Sequence, residues 1–247
     1  MIFFVSGNDT DIGKTFVSSL LLKSLSMKYN KIAYVKPIES GVSQISQSDL
    51  SFVKKSSDFG KKVDFFQFIL FKEPVAPFTA SLIEKRRISY PEIVKNIKTL
   101  EKEYDLLVIE GAGGLRVPIT KSKEIVDLIK SIKAIVILVI SPFLGTLNHT
   151  FMSIETLKVR KIPLEGVVIN SYPYKPNISE VHNPIIINSR KIKILGVIPR
   201  MTNSLKKSKN IHLKSFFSPR FGGQFCQVDF IEKCQNKFEA LLKKYAN

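Results

Sequence analysis

A short apolar stretch, IFFVS (2–6), runs into GNDTDIGKT (7–15) and then into FVSSLLLKSL (16–25). No other feature of the chain limits its fold so much. A strand that enters a glycine-bounded loop and leaves it as an amphipathic helix makes a phosphate cradle. Backbone N–H groups point inward, the helix N-terminus faces the anion, a lysine adds a point charge and a hydroxyl reaches Mg²⁺. Lys14 and Thr15 suit the last two roles, and Gly13 lets the backbone come close because a Cβ would intrude. The usual pattern has four residues between its glycines. Gly7 and Gly13 are separated by five. Either the loop is one residue longer, or it turns on Asn8, a residue type that tolerates positive φ.

The rest of the chain repeats the strand-then-helix alternation. Continuous apolar runs at 2–6, 32–36, 106–110, 134–140, 166–170 and 194–198 read as strands buried on both faces. Amphipathic stretches near 14–29, 89–104, 122–131 and 147–160 separate them. This predicts a doubly wound, mostly parallel α/β sheet whose strand C-termini share one ligand-binding edge. Polar and small residues gather at that edge: KPIESG (36–41), EGAGG (110–114), SPFLGTLN (141–148), Asn170-Ser171 and Pro199-Arg200. Residues 172–190, with Pro173, Pro176 and Pro184, read as the least regular part. One domain is expected over 1–200, with 201–247 adding a basic loop and a terminal amphipathic helix packed on it.

Composition narrows the function classes. The longest apolar run, AIVILVI at 134–140, is far short of the roughly 18 residues a membrane helix needs. The N-terminus shows no basic region or cleavage-type site, and Cys226 and Cys234 make no metal pattern, so a cytoplasmic protein with free thiols is expected. A net charge of +17 raises the question of a polyanionic partner. The lysines are scattered, without arginine-rich or basic–aromatic tracts, so we read them as solvated faces and expect neither nucleic acid nor membrane. SLKKSKNIHLKS (204–215) reads as a solvated loop and Gly222-Gly223 as a turn. His149 reads as a cap or packing residue, while His182 and His212 belong to no constellation.

Mg²⁺ binding takes a hydroxyl, one or two carboxylates, waters and phosphates. Glu110, at the tip of a buried strand, is the foremost carboxylate candidate, because an unpaired charge there is costly. Asp49, in QSDLSF, is the second, though it reads equally well as a helix N-cap.

Together these stretches resemble the dethiobiotin synthase family of P-loop NTPases. GNDTDIGKT carries that family's extra loop residue. KPIESG (36–41), Ser48-Asp49, EPVAP (73–77), EGAGG (110–114), LGTLNH (144–149), Asn170 and GVIP (196–199) follow in the family's order over roughly residues 1–200. The resemblance implies an ATP-dependent ring closure: 7,8-diaminononanoate takes up CO₂ as a carbamate, which ATP activates. It implies that Lys36, Lys14 and Thr10 act on the reacting carbamate and phosphates, and that Ser40 contacts the substrate. Thr15, Asp49 and Glu110 would hold Mg²⁺. Asp11, Ile12, Gly13, Lys14, Thr15, Phe16, Asp49, Glu110, Gly111, Ala112 and Gly113 would surround the phosphates, and Asn170, Ser171 and Pro199 the base. Gly145, Thr146, Leu147 and Asn148 would take the substrate carboxylate across a homodimer interface.

The chain departs from the family in having Asp11 where Glu is usual and Ser171 where Asp is common, and in its longer basic extension. Two other readings compete. A partitioning-type ATPase on DNA or membrane would carry an extra lysine early in the loop, where this chain has Asn8, Asp9 and Asp11. A cobyrinate-amidating synthetase would need a glutaminase domain, and the cysteines lie too near the C-terminus to begin one.

Overall fold

The computed structural model describes residues 1–56, 59, 62–201, 217 and 225–245. Strand β1 (Ile2–Gly7) leads through the loop into α1 (Lys14–Leu25), followed by β2 (Ile32–Glu39), α2 (Asp49–Ser56), β3 (Val63–Leu70), α3 (Pro77–Ile83) and α4 (Tyr90–Glu103). Then come β4 (Leu106–Gly114), α5 (Ile125–Ser131), β5 (Ile135–Ile140), α6 (Thr146–Val159), β6 (Leu164–Tyr172), α7 (Ile178–Ser189), β7 (Ile194–Pro199) and α8 (Gln227–Tyr245). The strands form one parallel sheet in the order β3-β2-β4-β1-β5-β6-β7. This is the doubly wound architecture expected.

The sheet is covered on both sides. On one face Val17, Leu20 and Leu21 of α1 and Val53 of α2 pack over Phe3, Val5, Tyr34 and Val108. On the other, α4 contributes Ile93 and Ile97, α5 Ile125 and Ile129, α6 Ile154 and Leu157, and α7 Ile187, over Phe4, Val35, Ile109 and Leu138. Burial on both faces explains why these strands are continuous apolar runs. β1, buried along its whole length, lies at the centre with β4 and β5 as neighbours. The loop that follows β1 therefore opens at the middle of the C-terminal edge, where a doubly wound sheet presents its ligand site.

Two sequence expectations need correction. β3 was not foreseen. It is an edge strand in which only Val63 is buried and Asp64 is exposed, so it lacks the fully apolar signature of its neighbours. Residues 172–190 are more regular than expected, because α7 occupies 178–189 and buries Pro184 inside it. Its start is fixed by a capping box. Asn177 Oδ1 accepts from the Glu180 N–H at 3.0 Å, and Glu180 Oε2 accepts from the Asn177 N–H at 2.7 Å.

α8 packs against α7 and β7. Phe238 stacks on His182 with ring centres 4.1 Å apart, Phe230 meets Tyr172 edge-on, and the buried Cys234 thiol lies 3.7 Å from the Tyr172 hydroxyl. Gln227 accepts from the Ile194 N–H at 3.0 Å and donates to Asn188 Oδ1 at 2.8 Å. Residues 204–215, with His212, and Gly222-Gly223 lie outside the described residues. No helix among the described residues is long and apolar enough to cross a membrane.

Candidate active site

The loop turns on Asp11, with φ 51°, and on Gly13, with φ 81°; Asn8 does not take a positive φ. Aspartate shares with asparagine a tolerance of the left-handed region. Asn8 serves otherwise: its amide donates to Thr146 Oγ1 at 3.2 Å and Thr150 Oγ1 at 3.1 Å, fastening the loop to α6. Gly13 is needed twice over. Its φ disfavours a side chain, and an added Cβ would stand 2.3 Å from Asn170 Nδ2. Lys14, only 8% exposed, donates to the Asp9 carbonyl at 3.1 Å. Burial lowers its pKa from the ordinary lysine value, and the charge of Lys36 adds to this against the opposing pull of Glu110.

Lys36 projects from β2 into the centre of the site. Its ammonium lies 2.5 Å from Asp49 Oδ2 and 2.8 Å from Glu110 Oε1. Burial acts to lower its pKa, but the charges of Glu110 and Asp49 outweigh this and hold it well above the ordinary value. The Thr15 hydroxyl donates to the same Glu110 Oε1 at 2.8 Å. Asp49 is held below the ordinary carboxylate value because Lys36 outweighs its partial burial. Thr15, Asp49 and Glu110 are thus brought together, with the Lys36 ammonium between the two carboxylates. Two carboxylates and a hydroxyl are hard oxygen donors, and they leave positions for water and phosphate oxygens, as Mg²⁺ requires. Among the described residues no cluster of three or more His, Cys, Asp or Glu could hold a metal alone. The donor set therefore fits a cation that arrives with phosphate.

Two adjoining clefts meet at Asp11 and Gly13. The first, of about 590 Å³, is lined by Thr10, Lys14, Thr15, Lys36, Ser40, Asp49, Glu110, Ala112 and Gly113, with Pro74, Val75 and Pro77 as an apolar wall. The second, of about 550 Å³, is lined by Ile12, Phe16, Phe52, Phe143, Asn170, Ser171, Pro199 and Arg200. Of the residues expected around the phosphates, Lys14, Thr15, Asp49, Glu110, Ala112 and Gly113 line the first cleft, whereas Ile12 and Phe16 line the second beside the expected base residues Asn170, Ser171 and Pro199. Gly111 stands behind the first cleft, its carbonyl 3.3 Å from the Lys36 ammonium. Gly145, Thr146, Leu147 and Asn148 line neither cleft. Gly145 caps α6 with φ 92°, and Thr146 is buried against Asn8. His149 is an exposed neighbour of Asp9 at 3.7 Å.

Sequence reading missed several groups. Tyr34, which meets Glu110, and Phe52, which lines the second cleft, are not singled out by it at all; Glu39, which meets Asp49, and Phe143 and Arg200, which line the second cleft, lie in stretches it places at the ligand edge but receive no role. Glu39 carried a signal: like Glu110, it is a carboxylate at the end of an apolar strand.

A family model described as an AAA domain matches residues 2–208. The ATP-dependent dethiobiotin synthetase BioD of Thermodesulfovibrio yellowstonii is 36% identical over 220 residues, 84% of this chain and 91% of that protein. The chain belongs to the dethiobiotin synthetase family. The family member of Bacillus velezensis is 32% identical, covering 87% of this chain and 96% of its own, and that of Hydrogenobaculum is 40% identical over 71% of this chain and 79% of its own. Solved structures extend the likeness to fold alone. A plasmid partition protein of Borrelia burgdorferi bound to AMPPNP has a TM-score of 0.57 at 14% identity, covering 98% of each chain. The cell division ATPase MinD of Pyrococcus furiosus has 0.54 at 18%, covering 95% of this chain and 98% of its own. This chain thus shares its fold with a plasmid partition protein and a cell division ATPase.

Proposed function

We propose that this chain is a cytoplasmic ATP-dependent dethiobiotin synthetase. Its substrates would be 7,8-diaminononanoate, CO₂ or bicarbonate, and ATP. The observation that carries the reading is the buried Lys36 ammonium between Asp49 and Glu110, next to Lys14, in a cleft that also holds Thr10 and Ser40. A carbamate and its phosphorylated form are both anionic, and two buried lysines are suited to neutralise them without reorganising.

The reaction balances in three steps. One amine adds to CO₂ and loses a proton, giving a carbamate. The carbamate oxygen attacks the γ-phosphorus of ATP and ADP leaves. The neighbouring amine then attacks the activated carbonyl and loses a proton to solvent, phosphate departs and the ureido ring closes. Lys14 would hold the phosphates and Lys36 the carbamate, with Thr10 and Ser40 fixing its orientation. Thr15, Asp49 and Glu110 would hold Mg²⁺, which when bound draws charge from the phosphates. The wall of Pro74, Val75 and Pro77 suits the hydrocarbon chain of the substrate. The nucleobase would enter the second cleft among Asn170, Ser171 and Pro199. The family resemblance assigns residues 145–148, which line neither cleft, to the substrate carboxylate of a second copy in a homodimer.

The test is product mass after incubation with the diamine, bicarbonate and MgATP. A new species of dethiobiotin mass, formed with one ADP and only when both diamine and bicarbonate are present, is the expected result. ADP release at equal rates with and without the diamine would refute the assignment.

A further inference from the structure

Glu110 and Asp49 are each backed by a buried group with no part in the scheme above. Tyr34, fully buried on β2, donates from its phenol to Glu110 Oε2 at 2.8 Å. The other oxygen, Oε1, serves Thr15 and Lys36. Glu39, 6% exposed at the end of β2, accepts the Asp49 N–H through Oε1 at 2.7 Å. Its Oε2 accepts from the Gln67 amide at 2.5 Å. Gln67 stands in register beside Lys36 on the neighbouring strand. One carboxylate is therefore fixed at its outer oxygen, and the other through its own backbone at the first residue of α2.

Core packing alone does not call for either group. A phenylalanine would fill the place of Tyr34 almost equally well. A carboxylate buried beside Asp49 carries a desolvation penalty unless it has a task there. Both make sense as orienting groups, because a carboxylate that can swivel binds a cation more weakly than one held in place.

We propose that Tyr34 and Glu39 are positioning residues for the divalent cation, holding Glu110 and Asp49 in the orientation that receives it with the nucleotide. The inference rests on the ATP-dependent reading above. The probe is Mn²⁺, titrated in the presence of ADP and followed by electron paramagnetic resonance. The proteins compared are wild type, Tyr34→Phe, Glu39→Ala and Glu39→Gln. Tyr34→Phe and Glu39→Ala should each weaken Mn²⁺ binding about 10- to 100-fold, while metal-free ADP binding and the circular dichroism spectrum stay as in wild type. Glu39→Gln should recover most of the loss, because its amide oxygen still accepts from Asp49 and a turned Gln67 still meets its NH₂.

Wild-type Mn²⁺ affinity in both Tyr34→Phe and Glu39→Ala would overturn the inference. So would an equal loss in Gln and Ala, which would make the charge of Glu39 the active feature, or a loss confined to metal-free ADP binding. Failure of the wild type to bind Mn²⁺ with ADP would overturn the ATP-dependent reading itself, and this inference with it.

Discussion

The side-chain amide of Asn170 donates to the carbonyl of Ile12 at 2.7 Å, joining residues 158 positions apart. The end of β6 thereby holds the phosphate loop at the point where the two clefts meet. Asn170→Ala leaves the Ile12 carbonyl without this donor, which should cost about 1–3 kcal/mol in urea unfolding. The ATP KM should rise more than turnover at saturating ATP falls. An unchanged KM would show that the loop keeps its shape without the tie.

Lys36, besides the catalytic role proposed for it, is a structural cation. Removing one partner of a buried pair costs about 3–5 kcal/mol, and Lys36 and Glu110 have side chains only 3% and 0% exposed. Lys36→Met should melt earlier in chelator and lose ring closure. Mg²⁺ should then raise its melting temperature more than that of wild type, because a cation can take the vacated place between the carboxylates. Equal Mg²⁺ shifts in both proteins would contradict this.

The lowered pKa of Lys14 has a kinetic sign. Burial favours the neutral amine, so in the free protein the proton is lost at a lower pH than from an ordinary lysine, whose value is 10.5. kcat/KM for ATP should fall on an alkaline limb centred below that value, since this parameter reports the free enzyme. In Lys14→Arg the limb should vanish while the plateau drops, because arginine does not titrate there. A limb that persists in the arginine variant belongs to another group.

The two cysteines should differ in reactivity. Cys226 is exposed. Cys234 is buried beside Tyr172, and burial raises the pKa of its thiol. Thiolate character and access both govern the reaction with a disulfide reagent. One thiol should react promptly in the native protein and the second only as α8 leaves the body. Prompt reaction of both would mean that α8 detaches readily in solution.

Much of this was legible in the sequence, for definite reasons. Strands buried on both faces announce themselves as apolar runs, so the sheet could be read except for β3, whose exposed Asp64 marks an edge. Three prolines outweighed the Asn177–Glu180 capping box, so α7 was read as irregular. Lys14, Thr15 and Glu110 declare themselves through backbone context. Tyr34 does not, because a buried aromatic in a strand looks like core, and its partner lies 76 residues away. The Asn8 alternative failed because side-chain bonds to Thr146 and Thr150 fix that residue, leaving the turn to Asp11.

The position of β3 bears on how the protein would fail. Lys14 opens α1 directly after the loop that leaves the central strand β1, but Gln67, which secures Glu39 and through it Asp49, belongs to a strand with a neighbour on one side only. Edge elements open locally at lower free energy than the middle of a sheet. On warming, Asp49 would lose its footing while the loop after β1 stayed whole. The molecule would go silent while still folded, and would recover on cooling.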